Sequence, residues 1–201
     1  MNSTTLATIE NVAVHWDGKR LSWTSGANID ADGSPRAYGP NNTGLDWAAN
    51  AGAPGNWYGV ATDEHGKPVI QGPDDPYPGM YVSTTAYERS AFDPHNPRRY
   101  LDSEAVPYVV IPGKLRKQVP GVVLGCKVKV TNIKTNVAID AVIGDVGPSN
   151  KIGEISIKAA ELLGIPSGPK AGGTFQPILF YEVFPGVPAV VNGETFRLIA
   201  A

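Results

Sequence analysis

Frequent glycine and proline are the strongest constraint on how this chain can fold. The 201 residues include 23 glycines and 18 prolines, about a fifth of the chain, whereas an average protein has roughly 12%. The chain must therefore reverse direction often, and the segments between the reversals are short and rich in Val, Ile and Tyr. This combination favours a mainly β architecture over a helical bundle.

Hydrophobic alternation predicts a series of short strands and one helix. The helix begins at the N-cap residue Ser156 and ends at Gly164, shortly before Pro166. A long irregular stretch from Gly26 to Gly55 is typical of a functional loop. The predicted strands lie at 12–16, 21–23, 57–62, 68–71, 81–84, 106–111, 128–130, 137–143 and 178–184. We expect one domain over residues 1–201, in which an N-terminal hairpin extension (1–25) precedes a barrel (26–201).

The charge balance restricts the class of partner. Lys and Arg number 17 and Asp and Glu 19, so the net charge of −2 favours neither DNA nor RNA. No apolar run approaches the ~18 residues of a membrane span, and the N-terminus does not have the segments of a signal peptide. We expect a monomer with no nucleic-acid or membrane partner. We expect it to be extracellular, by a leaderless route or with a leader that this sequence omits, or cytoplasmic if the chain is complete and is not exported.

Cysteine and histidine, the usual ligands of zinc, are sparse. Cys126 is the only cysteine, so the chain has no intramolecular disulfide and no thiolate zinc site. Residues 28–33 match the first positions of a calcium loop, but Gly39 stands where such a loop needs a bidentate Glu. We expect no metal and no cofactor.

The segment 143–165 carries the clearest chemistry. Asp145 lies where a strand ends and Glu154 lies just before the helix, so a chain reversal between them brings two carboxylates to one end of a barrel. Glycoside hydrolysis needs such a pair, because one group protonates the leaving oxygen and the other activates water or attacks the sugar. The ordinary structural alternative is that Asp145 closes a turn and Glu154 caps the helix.

This segment resembles the double-psi β-barrel of rare lipoprotein A and related glycan-cleaving barrels. The pieces that carry the resemblance are Asp145-Val-Gly-Pro148, Glu154-Ile-Ser156 and Ala159-Ala-x-x-Leu-Gly164. Asp145 matches the Asp of an Asp-x-Gly-Pro motif, and Glu154 matches the acid of an Asp-Leu-Ser motif. The resemblance implies a mainly β, single-domain double-psi β-barrel with long loops and one short helix.

A second resemblance covers most of the chain. Its pieces, in order, are Asn28-Ile-Asp-Ala-Asp-Gly33, Tyr81-Val-Ser-Thr-Thr85, Asp102-Ser-Glu-Ala-Val-Pro-Tyr-Val-Val-Ile-Pro112, Gly144-Asp145 and Ile152-Gly-Glu-Ile-Ser156. Together they resemble glycoside hydrolase family 75, the fungal-type chitosanases, which pair an essential Asp and Glu nine residues apart, as Asp145 and Glu154 are here. The sequence departs from the secreted fungal members because it shows no signal peptide and has few cysteines: Ala31 stands where those members have a Cys. These departures bear on the expected export route more than on the chemistry.

The resemblance implies an endo-acting chitosanase that cleaves β-1,4 links between glucosamine units with inversion. We assign Glu154 as the general acid and Asp145 as the general base. The reverse stays open, because a helix N-terminus favours an ionised Glu154 whereas an acid needs a raised pKa. A cationic polymer needs carboxylates for its ammonium groups and aromatic faces for its rings. The candidate carboxylates are Asp30, Asp32, Asp46 and Glu104. The candidate aromatic residues are Trp47, Trp57, Tyr58 and Tyr108.

Three alternatives remain open: the first changes only the substrate, the second changes the functional class, and the third is purely structural. A double-psi barrel can instead cleave peptidoglycan, as a phage or secretion-system effector would. A non-catalytic glycan-binding barrel, as in expansin-like proteins, would keep the aromatic platform without needing both carboxylates. A purely structural role is the weakest alternative, because it leaves the long Asp/Asn-rich loops unexplained.

Overall fold

The computed structural model describes residues 3–200 as a mainly β protein with two short helices. The strands are β1 (Thr4–Ile9), β2 (Val12–Trp16), β3 (Leu21–Asp30), β4 (Gly52–Ala53), β5 (Asn56–Trp57), β6 (Tyr108–Pro112), β7 (Cys126–Asn132), β8 (Val137–Gly147), β9 (Glu154–Ser156), β10 (Thr174–Pro188), β11 (Val190–Val191) and β12 (Glu194–Thr195). The helices are α1 (Gly113–Gln118) and α2 (Ile157–Leu162), with 3₁₀ turns at Pro40–Asn42, Ala48–Ala51 and Pro97–Arg99. Neither α-helix has the length and apolar character needed to cross a membrane.

Six of these strands close into a mixed barrel. Their order is β3, β10, β7, β8, β6 and β9, and β9 then pairs with β3. The β3–β9 and β6–β8 pairs are parallel, and the other pairs around the barrel are antiparallel. The β1–β2 hairpin extends the sheet through the pairing of β2 with β3. The predicted mainly β barrel is confirmed, while its finer identification as a double-psi barrel stays a prediction.

Alternating burial explains why these residues form strands around one core. Every second residue of β3, from Leu21 to Ala27, is buried, and β7 repeats the pattern from Cys126 to Asn132. Trp23 of β3 stacks on Tyr181 of β10 with ring centroids 4.9 Å apart. Strand β6 is buried throughout, because it lies between β8 and β9 and carries a nearly continuous apolar run.

Strand β3 is longer than predicted. It continues to Asp30, so the irregular stretch expected from Gly26 begins only after that residue. A Cβ at Gly26 would lie 2.0 Å from the carbonyl oxygen of Thr174, so glycine here permits a close strand approach instead of ending the strand. The predicted boundary after residue 25 falls inside β3, whose residues pair with β10 on both sides of it. The assignment of one domain to residues 1–201, of which 1, 2 and 201 lie outside the described part, stays a prediction.

The predicted strands between residues 57 and 84 are mostly isolated bridges. β5 covers only Asn56–Trp57, and the bridges beyond it join Val60 to Ser83, Thr62 to Pro68 and Ile70 to Tyr81. Glycine and proline interrupt continuous ladders, because one adds no packing side chain and the other donates no hydrogen bond. This part of the chain therefore forms an irregular wall beside the barrel.

The helices agree with the sequence in one case. The Ser156 hydroxyl accepts a hydrogen bond from the backbone N–H of Ala159, and α2 begins at the next residue as predicted. Helix α1 was not expected. It spans six residues and buries only Leu115, and a helix this short leaves no apolar periodicity to detect.

Candidate functional site

The two candidate catalytic carboxylates lie in one row across the barrel wall. Val110 of β6 pairs with Asp145 of β8 on one side and with Glu154 of β9 on the other, and Glu154 pairs in turn with Asn28 of β3. Residues paired directly across neighbouring strands present their side chains on the same face of a sheet. All four residues line one cleft of about 1100 Å³.

The row sets the spacing between the carboxylates. Neighbouring strands are about 4.8 Å apart, so the backbones of Asp145 and Glu154, two strands apart, are separated by about 10 Å. An inverting glycosidase holds its two carboxyl groups roughly 6.5–9.5 Å apart to leave room for a water molecule. The backbone spacing fits that range once the side chains lean towards one another.

Two glycines shape the strands that carry the pair. The β6–β8 register shifts at Gly144, where a Cβ would lie 2.7 Å from the Cβ of Tyr108. Such a bulge re-aims the next side chain, which here is Asp145. Gly153 has a φ of +88°, and its Cβ would lie 2.6 Å from the Ser25 hydroxyl oxygen. Only glycine therefore lets the chain enter β9 and present Glu154.

Two further carboxylates lie close to Asp145 and are held by tyrosines. The Tyr108 hydroxyl lies 3.0 Å from Asp30 Oδ2 and 2.9 Å from the Asp32 carbonyl oxygen. Its one hydrogen is shared between these two acceptors. The Tyr38 hydroxyl donates to Asp32 Oδ1 at 2.6 Å. Both donors are neutral, so the hydrogen bonds fix the carboxylates without cancelling their charge.

Burial and mutual repulsion favour the protonated forms of these carboxyls. Burial, opposed by hydrogen bonds from Asp32 and Tyr108 and reinforced by Asp46, raises the pKa of Asp30 to about 6. Burial and the charge of Asp30 raise the pKa of Asp145 to about 7. Burial, then Asp30 and Asp145, raise the pKa of Glu154 to about 8. Perturbed carboxyls gathered in a cleft are typical of a functional site.

The hydrogen bonds distinguish the two members of the pair. Asp145 Oδ1 accepts the backbone N–H groups of Ala86 at 2.8 Å and Val146 at 2.7 Å, which stabilise its ionised form. Among the described residues, none donates a hydrogen bond to the Glu154 carboxyl, whose pKa is set by burial and by nearby charges. Glu154 also lies two residues before the N-cap Ser156, outside the first turn of α2 where a helix terminus stabilises negative charge.

The predicted substrate-binding carboxylates divide into two groups. Asp30, Asp32 and Asp46 line the cleft with the catalytic pair. Asp46 is held by the Trp47 backbone N–H and the Asn50 side-chain amide, each at 2.8 Å. Glu104 lies outside the cleft lining and forms an ion pair with Arg36.

The predicted aromatic residues are also divided. Tyr58 lines the cleft and is 67% exposed. Trp47 follows the cleft residue Asp46, but the Lys170 ammonium lies over its ring, 4.5 Å from the centroid. Trp57 packs at a tilt on Tyr81 with the ring centroids 6.0 Å apart. Tyr108 is fully buried beneath Asp30. The structure therefore presents one predicted ring to the cleft and uses the others in packing or hydrogen bonding.

Several cleft residues were missed by the sequence analysis. Asn28 could have been found, because it lies two residues before Asp30 and so shares its face of β3. Lys151 could have been found from its place between Asp145 and Glu154. Residues 84 and 85 belong to the resembling piece 81–85 but were not selected as site residues. Tyr38 and Ala86 had no local signal, since only the fold brings them to the cleft.

The residues that could hold a metal ion are Asp30, Asp32 and Asp145, each of which offers an oxygen within 4.8 Å of the others. Both oxygens of Asp30, and one oxygen each of Asp32 and Asp145, already accept protein hydrogen bonds. Calcium needs 6–8 oxygen ligands, so these three carboxyl groups by themselves do not make a calcium site. We assign the three residues no metal role.

Comparison with known proteins gives no family assignment. No family model matches the chain, and no curated protein matches it.

Proposed function

We propose that the protein is an endo-acting, inverting glycoside hydrolase of the chitosanase type that cleaves β-1,4 links between glucosamine units. One observation carries the proposal. Asp145 and Glu154 flank Val110 in a single row across the cleft. Their backbones are about 10 Å apart, and two carboxyls that lean towards one another from that separation come within the roughly 6.5–9.5 Å of an inverting pair. The resemblance to glycoside hydrolase family 75 supplies the substrate class, and the row of carboxylates supports the reaction type.

The proposed mechanism gives each carboxylate one role. Glu154 protonates the glycosidic oxygen as the bond to the anomeric carbon breaks. Asp145 takes a proton from a water molecule that attacks the same carbon from the opposite face. Burial raises the pKa of Asp145 to about 7, but two backbone N–H groups oppose this and keep it below the pKa of Glu154, about 8. The carboxyl with the lower pKa suits the base, and the other favours the protonated form that an acid needs.

The acidic lining of the cleft supports a cationic substrate, because a bound cation would favour the ionised forms of carboxyls whose pKa values burial raises. Asp30, Asp32 and Asp46 surround the catalytic pair, and Lys151 is the cleft-lining cation among the described residues. Ammonium groups on the sugar would be attracted to such a surface, whereas the carboxylates of peptidoglycan would be repelled. We further propose that the protein acts as a monomer on extracellular polysaccharide.

The test is mass spectrometry of the products from chitosan, with the anomeric configuration of the first product followed by ¹H NMR. Short glucosamine oligomers released with inversion are expected from the wild type. Glu154→Gln and Asp145→Asn keep the side-chain shape and should each lower the rate by about 10²–10⁴-fold. Addition of azide or formate should partly rescue a separate Asp145→Ala variant, because the truncated side chain leaves room for a small anion to replace the base.

The other outcomes identify the alternatives. Release of muropeptides from peptidoglycan, without products from chitosan, would replace the substrate and keep the pair. Retained binding to chitosan by the wild type and both variants, with no products from any of them, would support a non-catalytic glycan-binding barrel. Products that persist in both variants would show that the pair is not catalytic.

A further inference from the structure

The tip of the N-terminal hairpin reaches the segment that leads into Glu154. Glu10 lies in the two-residue turn between β1 and β2, more than 140 residues from its partners in the sequence. Its Oε1 accepts a hydrogen bond from Lys151 Nζ at 2.8 Å, and its Oε2 accepts one from the Ile152 backbone N–H at 3.0 Å. One carboxylate therefore holds both a side chain and the backbone of the loop before β9.

The backbone at Glu10 is unfavourable for a glutamate. Its φ is +48° and that of Asn11 is +65°, the left-handed pair of values that a tight hairpin turn needs and that Asn, Asp or Gly supplies at least cost. A glutamate in this conformation is uncommon. Such a conformation is found where the surrounding structure or the function requires the side chain.

Lys151 is the residue that Glu10 restrains. It lines the cleft, and its positive charge acts to lower the pKa of Glu154. The other charged groups that act on Glu154 are Asp30, Asp145 and Asp46, which all raise its pKa, and Glu154 in turn raises that of Asp32. Lys151 is thus the one cation among the described groups that opposes the protonated form of Glu154.

We propose that Glu10 is a positioning residue for the general acid: its carboxylate holds the ammonium group of Lys151 and so prevents Lys151 from forming an ion pair with Glu154. The proposal rests on the proposed function only in the role given to Glu154. The contact itself is a property of the hairpin and the loop. The N-terminal hairpin is then part of the catalytic unit.

The test combines two variants of Glu10 with a direct titration of Glu154. Glu10→Gln keeps the shape and the acceptor for Ile152 but removes the charge. Glu10→Asn suits the turn better but is too short to reach Lys151. The Glu154 carboxyl is followed by ¹³C NMR in protein labelled at the glutamate side-chain carboxyl, and its signal is assigned by its loss in Glu154→Gln.

Both Glu10 variants are expected to lower the pKa of Glu154 by about one unit at low ionic strength, because an opposite charge nearby favours the ionised form. The basic limb of the kcat/KM profile should move to lower pH by the same amount, which is about a tenfold loss on that limb. Activity on the acidic side should change little. Glu10→Asn should not lower the melting temperature, which separates this effect from misfolding.

Two controls decide whether Lys151 is the intermediary. In a Lys151→Gln background, the Glu10 substitutions should cause no further shift. Glu161→Gln removes a carboxylate that pairs with Lys158 at 3.1 Å on the exposed face of α2, and it should leave the titration of Glu154 unchanged.

A Glu154 titration that does not move in either Glu10 variant would overturn the proposal. So would an equal loss of kcat/KM at every pH, or a shift of the same size with and without Lys151, since both indicate anchoring of the loop alone. If the wild type releases no products from chitosan, the NMR titration still decides the contact, and only the proposed function fails.

Discussion

Carboxylates in the cleft and the carboxylate of Glu104 differ in the charge of the groups that donate hydrogen bonds to them. In the cleft, Asp30 and Asp32 are held by the neutral hydroxyls of Tyr108 and Tyr38. Glu104 instead accepts hydrogen bonds from Nε and Nη2 of the Arg36 guanidinium, and one from the Ser34 hydroxyl at 2.5 Å. The donors differ in charge, and this difference decides which carboxylates remain available to a ligand.

The pKa directions follow from burial and neighbouring charges first, and from the donors second. Burial raises the pKa of Asp30, Asp145 and Glu154. Burial also acts to raise the pKa of Glu104, but the hydrogen bonds from Arg36 and Ser34 outweigh it and lower the pKa below its usual value. A neutral donor orients a buried acid without compensating its charge, so burial still raises the pKa of that acid, whereas an arginine compensates the charge and lowers the pKa.

The largest expected effect is a difference in the rate of chitosan cleavage between a variant in the cleft and a variant at the Arg36–Glu104 pair. Glu154→Gln should reduce the rate of chitosan cleavage by about 10²–10⁴-fold, since it removes the proton donor. Glu104→Gln should leave the rate within severalfold of the wild type, because Glu104 lies outside the cleft lining. Initial rates measured under matched conditions provide the comparison. A loss with Glu104→Gln as large as that with Glu154→Gln would remove the distinction.

The next effect is the pH dependence of stability. The pKa of Glu154 is raised from 4.5 to about 8 in the folded protein, so the folded state binds the proton more tightly. The resulting stability is fully present below about pH 4.5 and is lost as the pH rises through about 8. Glu154→Gln mimics the protonated form and should be about 1–3 kcal/mol more stable than the wild type near pH 8.5.

Thermal unfolding as a function of pH tests this expectation. The difference between the variant and the wild type should shrink towards zero near pH 4.5, where both carry a neutral side chain at position 154. Glu161→Gln, at an exposed site, should show no comparable difference. Equal melting temperatures of Glu154→Gln and the wild type across the whole range would contradict the raised pKa.

A smaller effect is expected from the tyrosine that holds Asp30. Tyr108→Phe removes the hydroxyl that serves Asp30 Oδ2 and the Asp32 carbonyl oxygen, and it leaves buried acceptors without that donor. Chemical denaturation should show a loss of about 1–3 kcal/mol. The KM for chitosan should rise more than kcat falls if Asp30 orients the substrate. An unchanged stability would show that the hydroxyl does not hold these acceptors.

The smallest effect is expected at the Arg36–Glu104 pair. Its side chains are 43% and 24% exposed, and a partly exposed ion pair contributes about 0–1 kcal/mol. Arg36→Gln should therefore cost no more than about 1 kcal/mol, and the cost should diminish with added salt. Denaturation at low and high ionic strength measures it. A loss larger than that of Tyr108→Phe would reverse the order of the two regions.

The sequence predicts the local parts of this molecule well. The Ser156 cap and the alternation along β7 each depend on residues a few positions apart, so the helix start and strand could be found without a structure. The three Asp residues predicted to bind substrate, Asp30, Asp32 and Asp46, line the same cleft as the pair, and their binding role stays a prediction. The bridges between residues 57 and 84 were harder to predict, because glycine and proline interrupt strands whose pairing partners are far away in the sequence.

The sequence by itself determined the mainly β fold and the nine-residue spacing of Asp145 and Glu154, because alternation and turn chemistry act over a few residues. Only the tertiary structure placed Val110 between those two acids, since that row needs three strands of the barrel to come together. The tertiary structure also pairs Glu104 with Arg36, 68 residues away, and Lys151 with Glu10, 141 residues away. The sequence shows where the carboxylates are, but only the fold determines which group lies next to each of them, because the partners are far apart along the chain.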